Sequence, residues 1–329
     1  MNFNYQKIAF NLLNDLPPRQ KEVIVRRFGL ESGQRETLES IGKNFGLTRE
    51  RVRQIEENAI LKIKPQLKKI ENVFQYFQEE LKKSGNLRKE DVFFSLLAKE
   101  EQFPYIFFLL SLNNNFQRFV ETKETYSLWT INLDSLNLAK KIINDLSKKL
   151  REIGKPFSLE ELISFFNHLS KIKKEHLVSY LEISKIIQKN QEGLYGLKDW
   201  PEINPRNIRD KAYLIFKKEQ KPLHFSQVAQ LIGSDALVQT VHNELIKDPR
   251  FVLVGRGLYA LKEWGYEEGF VKDIIFKVLR EAKRPLTKEE IINEVLKQRF
   301  VKKSTILLNL SNKKYFLKLS EGKYTFQKA

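Results

Sequence analysis

A motif built around one tyrosine recurs at nearly constant spacing through the last three quarters of this chain. Two copies are close in sequence, EGLYGLKDW over residues 192–200 and RGLYALKEW over residues 256–264, and ETYSLW and EGKYTF are weaker copies. The tyrosines are 69, 64 and 65 residues apart, and they are Tyr126, Tyr195, Tyr259 and Tyr324. Because self-similarity at a fixed period indicates a repeated structural unit, we expect four copies of one fold.

The internal pattern of each copy predicts what that fold is. Three copies carry a second marker upstream of the tyrosine, GKPFSLEEL, QKPLHFSQV and KRPLTKEEI. The residues between markers have helical periodicity, and an apolar, β-rich run with glycine, such as RFVLVGRGLYAL, contains the tyrosine. Three helices followed by a hairpin with glycine at its tip form a winged helix-turn-helix. The identical phase of the repeated aromatic residues favours core packing over base stacking.

The stretch before the repeats, TLESIGKNFGLTRERVRQI, has the spacing of a helix-turn-helix. Its apolar residues recur at three- and four-residue steps, which places them on one face of each helix, and they are Leu38, Ile41, Phe45, Val52 and Ile55. Gly42 lies where the two helices approach closely, and Gly46 ends the first helix. Thr48 is suited to cap the second.

Polar side chains gather on the opposite face of the second helix, in its N-terminal half. Such residues reach base edges when a helix of this kind enters the major groove. Arginine bonds guanine, glutamate accepts from cytosine and glutamine pairs with adenine. The predicted base readers are Arg49, Glu50, Arg53 and Gln54, with Thr48 and Arg51 on the DNA backbone. The alternative is a salt-bridged surface helix without a ligand.

The segment LPPRQKEVIVRRFGL followed by TLESIGKNFGLTRERVRQIEENAILKIK resembles region four of the sigma-70 family, the specificity factors of bacterial RNA polymerase. The resemblance covers roughly residues 14–70. It implies that Arg49, Glu50, Arg53 and Gln54 read a promoter −35 element on double-stranded DNA. The helices from about Leu16 to Leu30 resemble the part that docks on the polymerase flap, so core RNA polymerase is the implied protein partner.

Only about fourteen residues precede this match. A full sigma factor carries upstream domains that bind the polymerase clamp and melt the −10 element. We therefore expect a sigma-like factor that lacks promoter-melting domains.

The third copy, from Arg206 to Tyr266, resembles the HARE-type winged helix. The residues that carry this resemblance are KPLHFSQVAQLI and DPRFVLVGRGLYALKEWGY. That family occurs in the delta subunit of some bacterial RNA polymerases, in restriction enzymes and in chromatin proteins. Both resemblances point to bacterial transcription.

The predicted fold class is mainly α: an array of helix-turn-helix and winged helix-turn-helix domains with small β-hairpin wings. The predicted domains are a sigma region 4-like helix-turn-helix at 1–72, a degenerate winged helix at 73–135, a winged helix at 136–204, a HARE-type winged helix at 205–269 and a basic winged helix at 270–329.

Positive charge is concentrated at the two ends of the chain, whose formal net charge is +17. Residues 270–329 carry a net +9 and residues 73–204 only +1, so the middle copies are expected to be spacers or to bind protein. The cations around the last recognition helix and wing include Arg299, and those predicted to contact the DNA backbone are Lys302, Lys303, Lys313, Lys314 and Lys323. The alternative is a solvated lysine face.

Chemistry other than nucleic-acid binding has little support in this sequence. The chain has no cysteine, its four histidines are scattered, and it lacks phosphate-binding loops, HExxH, G-x-S-x-G and the Pro-Asp pair common in metal-dependent nucleases. We expect no enzyme activity, no cofactor and no metal. The apolar run Phe103 to Leu112 is too short to span a membrane, and no signal peptide is evident, so a cytoplasmic protein is predicted.

These features predict a DNA-binding transcription factor that recognises a −35-like promoter element and contacts RNA polymerase during transcription initiation. One alternative is a polymerase-associated adaptor whose helices bind protein. Another is the DNA-recognition subunit of a restriction or defence system.

Overall fold

The computed structural model describes residues 3–165, 171–234 and 236–326. The chain divides into two compact units, Met1–Lys198 and Asp199–Ala329. Helices dominate both units, and the strands are short and pair in antiparallel fashion within small sheets. This confirms the predicted mainly α class.

Unit 1 begins with the helix-turn-helix. Its helices are α1 (Tyr5–Leu13), α2 (Pro18–Phe28), α3 (Leu38–Phe45) and α4 (Arg49–Ile63), and a 3-10 helix (Lys64–Ile70) follows. The predicted caps are present: Gly46 ends α3 in the left-handed conformation at φ +63°, and the Thr48 hydroxyl accepts from the Arg51 amide at 3.2 Å. The turn between α3 and α4 is therefore fixed locally.

A small core holds α2, α3 and α4 together. Val23, Ile41 and Val52 are fully buried in it, and the partly buried residues around them are Leu38, Phe45, Leu47 and Ile55. A β-carbon on Gly42 would lie 2.6 Å from the Leu47 carbonyl oxygen, so only glycine fits where α3 meets the turn. This close approach matches the prediction.

The four repeats follow the same order of elements. The first repeat (residues 71–130) contains α5 (Glu71–Lys83), β1 (Leu87–Lys89), α6 (Glu90–Leu97), α7 (Phe103–Leu112), β2 (Gln117–Phe119) and β3 (Leu128–Thr130). The second repeat (133–197) contains α8 (Leu133–Ile153), α9 (Leu159–Phe165), α10 (Lys174–Glu182), β4 (Ile187–Lys189) and β5 (Tyr195–Leu197). The third repeat and the fourth repeat lie in unit 2.

The third repeat (208–261) contains α11 (Ile208–Glu219), β6 (Leu223–His224), α12 (Phe225–Ile232), α13 (Val238–Lys247), β7 (Phe251–Gly255) and β8 (Leu258–Leu261). The fourth repeat (271–326) contains α14 (Val271–Ala282), α15 (Lys288–Gln298), α16 (Lys303–Leu310), β9 (Phe316–Lys318) and β10 (Tyr324–Phe326). Helix, strand, two helices and a hairpin is the order of a winged helix; the first strand of the second and fourth repeats is reduced to a single bridge.

The strand pairing shows which aromatic residues are equivalent. Tyr259 pairs with the residue two positions before α12, and Tyr195 and Tyr324 pair with the residues at the same position before α9 and α15. In the first repeat the residue at that position, Arg88, pairs with Trp129. The predicted marker Tyr126 was therefore wrong by three residues, and the corrected first interval, from Trp129 to Tyr195, is 66 residues. Trp129, Tyr195 and Tyr259 are buried, consistent with core packing.

One hydrophobic core spans the helix-turn-helix and the first repeat. Leu13 and Phe28 from α1 and α2 belong to the same buried cluster as Phe77 and Phe108 from α5 and α7. The rings of Phe28 and Phe108 meet edge to face with their centroids 5.0 Å apart. As a result, α7 covers the apolar side of α2.

Candidate nucleic-acid interface

The N-terminal half of α4 presents a continuous polar surface. Val52 is 0% exposed and fixes the inward side of the helix. The predicted DNA-contacting residues on the other side are all exposed, and they are Thr48, Arg49, Glu50, Arg51, Arg53 and Gln54. The spacing of apolar and polar residues thus brings all six predicted contacts to one end of one helix, as a reader of base edges requires.

Arg53 lies at the centre of this surface, between two carboxylates of its own helix. Its Nε and Nη2 donate to the two carboxylate oxygens of Glu50, at 2.9 and 2.7 Å, and its Nη1 donates to Glu57. The hydrogen bond from Arg53 lowers the pKa of Glu50, so Glu50 stays ionised as an acceptor. Glu57 was not among the predicted readers. Its spacing of four residues from Arg53 is the only sequence signal that indicates the contact.

The other predicted DNA-contacting residues differ in how many hydrogen bonds their side chains already make. Arg51 Nη1 donates to Gln54 Oε1 at 3.1 Å, which couples a predicted backbone contact to a predicted base reader. The Arg49 side chain makes no hydrogen bond or ion pair with any residue that the structure describes. Its five guanidinium N–H groups are therefore available to a base.

Ion pairs behind this surface link α2 to α4 and to the loop before α3. Arg26 of α2 donates to both carboxylate oxygens of Glu36 at 2.8 Å, and the hydrogen bond from Arg26 lowers the pKa of Glu36. Arg27 pairs at 3.4 Å with Glu56 of α4, and burial raises the pKa of the Glu56 carboxyl against this pairing. Both arginines belong to α2, so α2 positions the loop before α3 and the middle of α4.

The fourth repeat carries a second cationic surface. Four of its predicted backbone contacts are exposed, Lys302, Lys303, Lys313 and Lys314. The fifth, Lys323, is half-buried and donates to Glu321 at 3.0 Å, so part of its charge is already neutralised. Sequence reasoning did not anticipate that contact.

Arg299 does not belong to this surface, contrary to the sequence-based grouping. Its side chain is 3% exposed and donates to the carbonyl oxygens of Gln298, Glu267 and Gly269. Burial lowers the pKa of this guanidinium. The sequence shows a cation in a basic run, whereas two of the three acceptors come from residues about thirty positions earlier.

The described ranges hold no group of three or more histidine, cysteine, aspartate or glutamate side chains placed to bind a metal ion. One of the four histidines, His168, lies outside those ranges. Within the same ranges, every helix is too short or too polar to cross a membrane.

Comparison with known proteins identifies a counterpart for the N-terminal helices. The family model "Sigma-70, region 4" matches residues 12–64, which confirms the predicted resemblance over the end of α1 through α4. The RNA polymerase sigma factor SigA of Clostridium acetobutylicum is 51% identical over 53 residues, 16% of this chain and 14% of that protein.

Two further relatives match over nearly the same length. The sigma factor SigA of Microcystis aeruginosa is 48% identical over 54 residues, covering 16% of this chain and 13% of its own. The principal sigma factor HrdD of Streptomyces coelicolor is 46% identical over 54 residues, 16% of each chain. The chain thus spans about a seventh of the length of the first of these relatives, at 14%. The resemblance of the third repeat to HARE-type domains stays a prediction.

Proposed function

We propose that this protein is a DNA-binding transcription factor whose helix α4 reads a −35-like promoter element. The observation that carries the proposal is the exposed polar N-terminal half of α4, on a helix-turn-helix that matches sigma-70 region 4 over residues 12–64. Sigma factors are the relatives of this segment, and the chemistry of the exposed side chains fits base-edge recognition. Such a protein acts by binding rather than by catalysis, and it works in the cytoplasm with the promoter.

Each reader has a role that follows from its bonds. Arg49 has its donors free and is suited to guanine O6 and N7. Arg53 uses Nε and one hydrogen of each terminal nitrogen on Glu50 and Glu57, which leaves two N–H groups for a base. Gln54 exchanges its contact with Arg51 for adenine, and Arg51 is then free to reach a phosphate.

We assign RNA polymerase core as the protein partner. The apolar side of α2 is covered by α7, so the polymerase contact falls on the opposite, exposed side, which includes Arg19 and Glu22. The exposed predicted backbone contacts of the fourth repeat supply a second contact to the DNA backbone, and they are Lys302, Lys303, Lys313 and Lys314.

A selection from random duplexes tests base reading directly. The wild type is expected to enrich one motif, and Arg49→Ala with Gln54→Ala is expected to relax it by about 1–3 kcal/mol at each affected base pair. Lys62→Ala, in the last turn of the same helix, removes a cation from a part of α4 outside the reading surface and serves as the control. Recovery of an identical motif from the double variant would contradict the assignment.

The third repeat supports a second function, that of an adaptor that binds protein. The outward face of its recognition helix α13 carries exposed Val238 and Ile246, and Leu237, which precedes the helix, is 73% exposed. The helix sequence, VQTVHNELIK, has one lysine, Lys247, and one carboxylate, Glu244, so it offers little positive charge to a phosphate backbone. Val238→Asp with Ile246→Asp would release a protein partner while leaving duplex binding by α4 unchanged.

A further inference from the structure

The third and fourth repeats are joined by a hydrogen-bonded connection within unit 2. The Phe300 amide donates to the Val254 carbonyl at 2.7 Å, and Gly255 forms a parallel bridge with Phe300. Val254 and Gly255 end strand β7, and Arg256 follows at the tip of the wing. Phe300 lies just before α16, so the wing of one repeat touches the entry to the recognition helix of the next.

Several side-chain hydrogen bonds fix this joint. Arg299 donates to the carbonyl oxygens of Glu267 at 2.6 Å and Gly269 at 2.9 Å, and Gln298 Nε2 donates to the Gly265 carbonyl at 3.2 Å. A β-carbon on Gly255 would lie 2.8 Å from the Phe300 carbonyl oxygen, so the two backbones are in direct contact. A joint with this many satisfied polar groups has one preferred geometry.

The joint brings cations from two repeats close together. Arg256 directly follows Gly255, and Lys302 and Lys303 come two and three residues after Phe300. Given chain geometry and the strand spacing, the α-carbons of Arg256 and Lys302 are at most about 16 Å apart. Long side chains on both sides can reach the same stretch of a polyanion.

These three cations are available to a ligand. Arg256, Lys302 and Lys303 are exposed and form no ion pair or hydrogen bond through their side chains with any described residue. The nearby carboxylates are occupied: Glu267 accepts from Lys277, and Asp273 accepts from the Phe270 amide at 2.8 Å. Lys302 is also the N-cap of α16 and its side chain makes no capping bond, so first-turn amides add positive potential there.

We propose that Arg256, Lys302 and Lys303 form one binding site, the joint surface, for the phosphate backbone of duplex DNA. The site requires two repeats, since the wing of the third supplies the arginine and the fourth supplies the lysines. Arginine and lysine side chains and helix N-termini are groups that contact DNA phosphates in protein–DNA interfaces. The inference rests on the proposed function only in taking DNA as the ligand; it is independent of base reading by α4.

The test measures how salt weakens binding of the full-length protein to a fluorescent duplex of random sequence. Each phosphate contact adds about 0.9 to the slope of log affinity against log salt, so Arg256→Gln, Lys302→Gln and Lys303→Gln together should flatten that slope by about 2–3. The matched control is Arg280→Gln, Lys283→Gln and Lys288→Gln, which also removes one arginine and two lysines. Lys288 begins α15, whose 11 residues place it about 16 Å from the joint. The control should change the slope by less than about 1.

Gly255→Ala tests whether the joint is needed. It removes no charge but places a methyl group against the Phe300 carbonyl, so it should flatten the slope in the same direction as the charge variants. Unchanged circular dichroism would show that each variant is folded. Equal changes of slope in the two triple variants would show that only total charge matters and would contradict a defined site. A wild-type slope for the joint triple or for Gly255→Ala would overturn the shared site.

The same experiment separates this proposal from base reading. In a protein that already carries Arg49→Ala and Gln54→Ala, the joint triple should still flatten the salt slope on random DNA. This expectation holds even if the selected motif proves independent of α4. Binding of an acidic peptide in place of DNA, with loss in the joint triple, would also overturn the choice of ligand.

Discussion

Arg53 shows how a single residue sets the state of the candidate reading surface. Its guanidinium donates to both Glu50 and Glu57. A base must therefore accept hydrogen bonds from the two remaining N–H groups or displace a carboxylate. Exposed ion pairs of this kind contribute little to stability. Their effect is on orientation: the two carboxylates hold the guanidinium along the helix.

Glu57→Ala is therefore expected to strengthen DNA binding. The change frees one N–H of Arg53 and removes a negative charge that faces the DNA, so affinity for the selected motif should rise several-fold, by about 1 kcal/mol. Fluorescence anisotropy at fixed salt measures this. Glu39→Ala removes a carboxylate paired with Lys43 on α3 and is the control for net charge. Equal gains from both variants would assign the effect to charge alone.

Residue by residue, the sequence predicted what depends on local spacing. The caps at Gly46 and Thr48 and the close approach at Gly42 follow from positions a few residues apart, and the structure has all three. Arg299 was misassigned because its acceptors, the carbonyls of Glu267 and Gly269, come from a distant segment. Periodicity carries no information about such contacts.

The same limit applies to whole elements. The repeat phase was correct in the last three repeats, where the tyrosine itself pairs with the first strand or its single bridge. In the first repeat Trp129 takes that position, and the tyrosine that resembled the marker, Tyr126, lies three residues earlier. Strand register depends on the pairing partner, here Arg88, which is about forty residues away in the chain and has no distinctive pattern.

Substitutions at these two aromatic residues should differ strongly in effect. Trp129 is buried and its indole nitrogen donates to Glu90 at 2.9 Å, so Trp129→Ala should lower the free energy of unfolding of unit 1 by about 3–5 kcal/mol. Tyr126 is half-buried, so Tyr126→Ala should lower the free energy of unfolding by less than half of that amount. Urea unfolding followed by circular dichroism compares the two variants. Equal losses would restore Tyr126 as the equivalent residue.

For the whole molecule, the sigma-70 region 4 model matches residues 12–64. That the chain relies on another factor to open a promoter stays a prediction.

Promoter opening is the corresponding prediction. The purified protein with core RNA polymerase is expected to leave the start-site region double-stranded, and permanganate footprinting would detect unpaired thymines if it did not. Adding a full sigma factor serves as the positive control for the template and the polymerase. Reactive thymines without that factor would contradict the prediction.

The core shared by the helix-turn-helix and the first repeat limits which fragment containing α4 can be moved into another protein. A fragment ending at residue 72 would leave Leu13 and Phe28 without the rings of Phe77 and Phe108 that bury them. Such a fragment would present an uncovered apolar face and tend to self-associate. A chimaera that borrows α4 as a candidate reading helix must therefore extend to Thr130, the end of β3, because the two segments share one buried core.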